Sequence, residues 1–276
     1  MATMQDPEDY VVKSDVANLA PAILEVMDVA RAHGVVCWLC YGALLGLVRE
    51  NRLLPWNNDA ELGCWHNDRI GDKFQLITDE LNKRGYHTTY YSSNGSVAVR
   101  RKGVIVNINC FWREGEYAVR PHEGPSAHDH VGILAYLLYW FATLMVSYPA
   151  GFLGNTFRPL SRNELLRIII VSIIRLQPRA LRRGLFLLML KGSIKCGGIF
   201  QKTGIPKVYF NKFVMLDFYG GKVLVPDEPE RLLWFIYGEG WRTPKVDWSF
   251  YDDKNKVDSG ILFIDEVWDY RQMDVV

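Results

Sequence analysis

The chain has 276 residues, 49% hydrophobic and 23% charged, enough apolar material for one large core or two small ones, which excludes a disordered polypeptide. The formal net charge is +1, with 32 Lys and Arg against 31 Asp and Glu, but the charge is unevenly spread. Between residues 131 and 216 twelve basic residues face one acid, Glu164, which leaves 20 basic and 30 acidic residues for the rest.

Five cysteines, an odd number, do not read as a disulfide framework. Cys37 and Cys40 in VVCWLCYG fall on opposite faces of a strand and do not form a chelating pair. The stretch MATMQDPEDYVV has neither the basic nor the apolar region of a signal peptide, so no cleavable leader is expected. Residues 16–33 carry apolar side chains at helical spacing and stop at Gly34. A β-branched and aromatic run at 35–41 predicts a strand, and GALLGLVREN a turn entering a short helix. Pro55 opens a predicted strand over 56–62. Residues 68–84 give a second amphipathic helix ending at Gly85. Strands follow at 86–91, 96–101 and 103–111, with SNG and RKG as turns. Helices mixed with antiparallel neighbouring strands make the class α+β.

The middle is different in kind. Residues 131–157 carry no charge, a length that suffices to cross a bilayer. LLRIIIVSIIRL and LRRGLFLLMLKGSIK follow, apolar runs interrupted by Arg and Lys in the manner of an interfacial helix. Two buried core helices with solvated arginines are the alternative. Arginines set among Ile and Leu, without aromatic stacking platforms, argue against a nucleic-acid partner. Beyond the middle, VMLDFYGGKVLVP predicts a hairpin turning at Gly-Gly. DEPERLLWFIYG predicts a helix with Asp227 as N-cap, and EGWRTPKVDW a loop. The resulting division is a domain of 15–130 plus 204–250, a hydrophobic and basic helical insertion at 131–203, and a tail at 251–276 with no assigned structure.

RLLPWNNDAELG holds the candidate site. On a strand Asp59 and Glu61 point to one face, with Asn57 beside them; the same spacing is also the ordinary pattern of a solvated face. PHEGPSAHDH gathers His122, His128, Asp129 and His130, but lacks the second spaced pair of a structural zinc site and reads as a polar loop.

YGALLGLVRENRLLPWNNDAELG, residues 41–63, resembles the signature of the LicD family, which includes fukutin and fukutin-related protein. Gly42, Leu44, Leu45, Gly46, Arg49, Pro55, Trp56 and Asp59 match it in spacing. FYGGKVLVPDEPERLLWFIYGEGWRTP, residues 218–244, is similar to the family's C-terminal hairpin segment. The resemblance implies a polymerase-β-like nucleotidyltransferase fold, a mixed sheet flanked by helices. It also implies transfer of a phospho-alcohol, such as phosphocholine or ribitol phosphate, from a CDP-linked donor to the hydroxyl of a glycan or lipid-linked glycan, with Mg²⁺ or Mn²⁺. In that scheme Asp59 and Glu61 hold the metal with Asn109 beside it. Gly42, Ala43, Leu44, Gly46, Arg49 and Trp56 then surround the donor diphosphate. The chemistry suits the residue types: hard divalent ions want carboxylates on a rigid strand, a glycine-rich turn lets amides approach phosphate at a helix start, and Arg49 adds a guanidinium.

The chain departs from the family where charge matters most. Glu61 replaces an aspartate, Asn57 and Asn58 replace two more, and Asn109 in INCF stands for the third catalytic carboxylate. An amide offers an oxygen but no charge, and cannot take up a proton. Three readings follow: an active transferase with a rearranged site, a binding relative without turnover, or a site completed by Glu114 or Glu116. A membrane-surface interaction protein is a further alternative. If both blocks build one domain they lie on one side of any membrane, so an in-plane hairpin is expected in place of a crossing at 133–154. The expected location is membrane-associated, in the Golgi or secretory lumen of a eukaryote or at the cytoplasmic face of a bacterium.

Overall fold

The computed structural model describes residues 16–57, 59–67, 69–91, 95–121, 133–146, 173–174, 176–196, 202–246 and 259–264. Helix α1 (Val16–Ala32) forms where the sequence pattern puts it, and Gly34 follows at φ +71°. The predicted strand at 35–41 shortens to β1 (Trp38–Cys40) because Tyr41 turns back at φ 46° and starts helix α2 (Tyr41–Glu50). Helical periodicity wins here: Ala43, Leu44 and Leu47 are buried together.

Strand β2 (Asp59–Trp65) starts three residues later than predicted. Pro55 opens a turn, with the Asn57 amide donating to the Leu54 carbonyl at 3.1 Å, so Asn57 precedes the strand and does not share its face. Helix α3 (Ile70–Lys83) follows, then β3 (His87–Tyr91), β4 (Ser96–Arg101) and β5 (Val104–Glu114). The RKG turn is present, with Lys102 and Gly103 both at positive φ. Strand β5 turns at Gly115 (φ 53°) into β6 (Tyr117–Pro121), which the sequence reading did not resolve.

Helices α4 (Ile133–Val146) and α5 (Arg179–Lys195) pack on one another. The Ser193 hydroxyl donates to the Ala135 carbonyl at 2.6 Å, and Gly192 admits the Leu138 side chain. At 14 residues, α4 is about 21 Å long against a hydrocarbon layer of about 30 Å. Among the described residues no helix is long and apolar enough to cross a membrane.

Strand β7 (Lys202–Pro206) pairs with β6 and with β10 (Leu262–Ile264). The sheet therefore takes in strands on both sides of the boundaries drawn at 203 and 251. The hairpin of β8 (Phe213–Phe218) and β9 (Gly221–Pro226) turns on Tyr219 and Gly220, not on Gly-Gly. Both have positive φ, the twist-matched geometry of a two-residue hairpin. Helix α6 (Pro229–Tyr237) has Glu228, not Asp227, at its N-cap, with Pro229 as first helical residue. The stretch after it, read as loop, holds a short 3₁₀ turn at Glu239–Arg242.

The eight-stranded sheet is mixed. β2 and β5 run parallel at its centre, while β4, β3, β1, β6, β7 and β10 pair antiparallel. Ala60, Leu62 and Cys64 of β2 and Val106, Ile108 and Cys110 of β5 are buried in the main core, and α1 packs on both strands. The other side chains of the same strands, at alternate positions, face the opposite way.

Candidate functional site

On that opposite face the parallel register sets Glu61 beside Asn107 and Gly63 beside Asn109. Glu61 is half-buried, its side chain 29% exposed. Asn109 is only 1% exposed and donates its Nδ2 to Glu61 Oε1 at 3.4 Å, while its Oδ1 meets no hydrogen-bond partner among the described residues. The same Glu61 oxygen lies 3.6 Å from Nη1 of Arg120, which is carried by β6. Burial raises the Glu61 carboxyl above its usual range, with the Asp59 charge adding to the rise and Arg120 and the Asn109 amide opposing it. Burial also raises Asp59, partly offset by a backbone hydrogen bond.

A cavity of about 280 Å³ opens beside this strand. Its lining includes Tyr41, Gly42, Arg49, Trp56, Asn57 and Glu61 from the first sequence block. Tyr237, Trp241, Thr243 and Lys245 line it from the far end of the chain. Helix α2 packs on α6, which brings the two blocks together. Arg49 donates from Nη1 to the Trp241 carbonyl at 3.3 Å, and the Leu53 amide donates to the Tyr219 hydroxyl at 3.0 Å.

Arg49, 7% exposed in its side chain, is held by Glu50 through Nε at 3.1 Å and Nη2 at 2.6 Å, and lies 5.9 Å from the centre of the Trp56 ring. The Tyr41 phenol is driven well above its usual range by burial, while a hydrogen bond from Arg120 acts the other way.

The sequence-derived site residues separate into three groups. Gly42, Arg49, Trp56 and Glu61 line the cavity, and Asp59 and Asn109 stand on the adjoining strands. Ala43 and Leu44 are fully buried and face the core. Gly46 sits within α2, where an added Cβ would lie 2.6 Å from the Arg52 carbonyl oxygen. Gly42 is likewise helical and packs on the Asn57 side chain. These glycines let the 52–57 loop lie close on α2, and the predicted turn is already helix from Tyr41, with Gly42 in its first turn. Asn58, His122, His128, Asp129 and His130 lie outside the described residues. Cys37 and Cys40 are buried free thiols.

Glu114 and Glu116 do not complete the site. Glu114 pairs with Lys202 at 2.9 Å and Glu116 with Lys207 at 2.9 Å. They sit at the β5–β6 turn, about 17 Å along the strand from Asn109 for Glu114. Tyr41, Arg120, Tyr237 and Trp241 were missed as site residues. Tyr41 falls in the first block and Tyr237 and Trp241 in the second, so their signal was present; Arg120 carries none that sequence spacing could expose.

Residues 34–122 match the family model for the LicD/FKTN/FKRP nucleotidyltransferase domain. The chain carries a LicD-family domain. The match spans β1 through β6 and includes both candidate carboxylates, Asn109 and Arg120. No curated protein matches the chain. Among solved structures it is similar to the antibiotic-resistance factor ANT(2'')-Ia in solution, at 11% identity and TM-score 0.31, over 65% of this chain and 93% of that one. It is also similar to ANT(2'')-Ia in complex with adenylyl-2''-tobramycin, at 10% identity and TM-score 0.29, over 62% of this chain and 97% of that one.

The divalent metal implied by the LicD resemblance does not fit the residues present. Among the described residues no group of three or more His, Cys, Asp and Glu could hold a metal. One oxygen of Glu61 already accepts from the Asn109 amide and lies 3.6 Å from the Arg120 guanidinium. The position of the third carboxylate is an amide turned with its nitrogen toward Glu61. With Asp59 and Glu61 ionised and Arg120 charged, the cluster carries only one net negative charge.

Proposed function

We propose that the cleft binds a CDP-linked phospho-alcohol and serves transfer of that group to the hydroxyl of a glycan or lipid-linked glycan. The observation that carries this is the meeting of both family-like blocks at one cavity, where Arg49, Trp56 and Trp241 adjoin the Asp59–Glu61 strand. An indole face suits a nucleobase, and a guanidinium suits a diphosphate. In the transfer the acceptor oxygen bonds to the alcohol-bearing phosphorus, the bond to the cytidylyl oxygen breaks, and CMP leaves. Asp59, raised by burial, accepts the acceptor's proton.

A second reading, binding without turnover, is favoured by Asn109, which stands where the family has its third carboxylate. The test is calorimetry of CDP with wild type and Arg49→Gln, then detection of CMP from CDP-choline or CDP-ribitol with a glycan acceptor. Binding weakened by Arg49→Gln, together with CMP release, supports transfer. Binding without CMP release selects the second reading. No binding to wild type overturns both.

The packed pair of helices α4 and α5 supports a membrane-surface role for the same protein. Ala135 and Ala142 of α4 and Phe186 and Leu190 of α5 face inward and are buried. Ile133, Leu134, Leu137 and Phe141 of α4, with Leu181 and Leu188 of α5, are exposed. They accompany a segment holding twelve basic residues and one acid, a charge balance that matches an anionic lipid surface. Flotation with vesicles of anionic phospholipid, and release by high salt or carbonate, test it; protein that stays in the soluble fraction refutes it.

A further inference from the structure

A site that binds diphosphate needs positive charge close to the phosphates, because nothing else offsets their repulsion from a carboxylate strand. Divalent metal is one source, and the cluster at Asp59, Glu61 and Asn109 is poorly made for it. The chain supplies another cation beside the cleft. Arg120 lies between two side chains that line the cleft: it hydrogen-bonds the Tyr41 phenol and stands 3.6 Å from Glu61.

Three features suit this arginine to the role. Its side chain is 19% exposed, so its charge is weakly screened yet within reach of solvent. A guanidinium stays charged throughout the physiological range and recognises phosphate through its planar fork. Asn109 holds Glu61 from the buried side, which fixes the carboxylate against which Arg120 is positioned.

We propose that Arg120, held beside the cleft by Tyr41 and Glu61, is a second phosphate-binding cation of this site beside Arg49, so that a nucleoside diphosphate binds without divalent metal. This deepens the donor-site reading and rests on it for the nucleotide part of the ligand. The residue was not singled out by the sequence pattern, and its role is carried by the geometry alone.

The experiment is calorimetric titration of CDP, and separately of inorganic pyrophosphate, into the full chain in EDTA and in Mn²⁺. It is run on wild type, Arg120→Lys and Arg120→Gln, with circular dichroism to confirm folding. The expected result is CDP binding in EDTA within about threefold of that in Mn²⁺, weakened about tenfold or more by Arg120→Gln and recovered only in part by Arg120→Lys, which restores the charge without the fork. If Arg120→Gln does not fold, the double variant Glu61→Gln with Arg120→Gln replaces it and is compared with Glu61→Gln alone, against which the same loss is expected.

CDP binding that requires Mn²⁺ overturns the inference and leaves the donor-site reading standing. So does EDTA-resistant binding that survives the loss of Arg120 while Arg49→Gln weakens it. Arg120-dependent binding of pyrophosphate without binding of CDP upholds the phosphate-binding role of Arg120 and overturns the nucleotide part of the inference together with the donor-site reading. Silence of both ligands overturns both.

Discussion

Replacing Asn109 by aspartate puts back the carboxylate that the family pattern calls for, and the structure sets what this costs. In the wild type a side chain 1% exposed gives its Nδ2 to Glu61 at 3.4 Å. Asn109→Asp removes that donor and places a second buried negative group against the first. Two unit charges about 4 Å apart repel by roughly 4 kcal/mol at an effective dielectric constant near 20. Arg120, on the same Glu61 oxygen, returns part of this. The expected loss of unfolding free energy in EDTA at pH 8 is therefore about 3 kcal/mol, measured by urea titration.

The pH dependence has a definite sign. The new carboxyl's folded pKa lies above its unfolded one, so its contribution to stability is full at low pH and is lost as pH rises. The deficit then shrinks toward acid, where the protonated group donates to Glu61 in place of the amide. Saturating Mn²⁺ has a second effect. It now meets three carboxylates and recovers about 2.7 kcal/mol at a hundredfold excess over its dissociation constant, while wild type does not respond. A variant as stable as wild type at pH 8, or a wild type stabilised equally by Mn²⁺, refutes the reasoning.

Gly46→Ala is expected to destabilise by about 1 kcal/mol, since overpacking of about 1–3 kcal/mol exceeds a helix-propensity gain of about 1. Its Cβ meets backbone of the 52–57 loop at 2.6 Å, so CDP binding through Trp56 weakens with it in calorimetry. Gly42→Ala, which meets only the end of the Asn57 side chain, costs less in the same urea titration, and a larger loss there counts against the argument. Asp59→Asn is expected to raise the urea midpoint at pH 7, because burial raises the Asp59 carboxyl and its ionised form opposes folding as pH rises. The gain fades as pH falls and the wild-type acid is protonated, and a gain that grows in acid contradicts the sign.

The sequence by itself determined the α+β class, the helices at α1 and α3, the strands β3 to β5 and the two blocks that meet at the cleft. These are local or periodic signals: apolar spacing, glycine stops and turn residues act within a few positions. It also exposed the chemical anomaly, since Asn109 in INCF is legible without coordinates. Where local signals competed, tertiary packing decided. GALLGLVREN became helix directly from Tyr41, with its glycines packed against residues 52–57. β6, β7 and β10 are short strands that acquire their identity only from the neighbours they pair with. Arg120 was invisible for the same reason. It is 59 positions from Glu61 in sequence, and only the β5–β6 turn and the sheet register bring its charge beside that carboxylate.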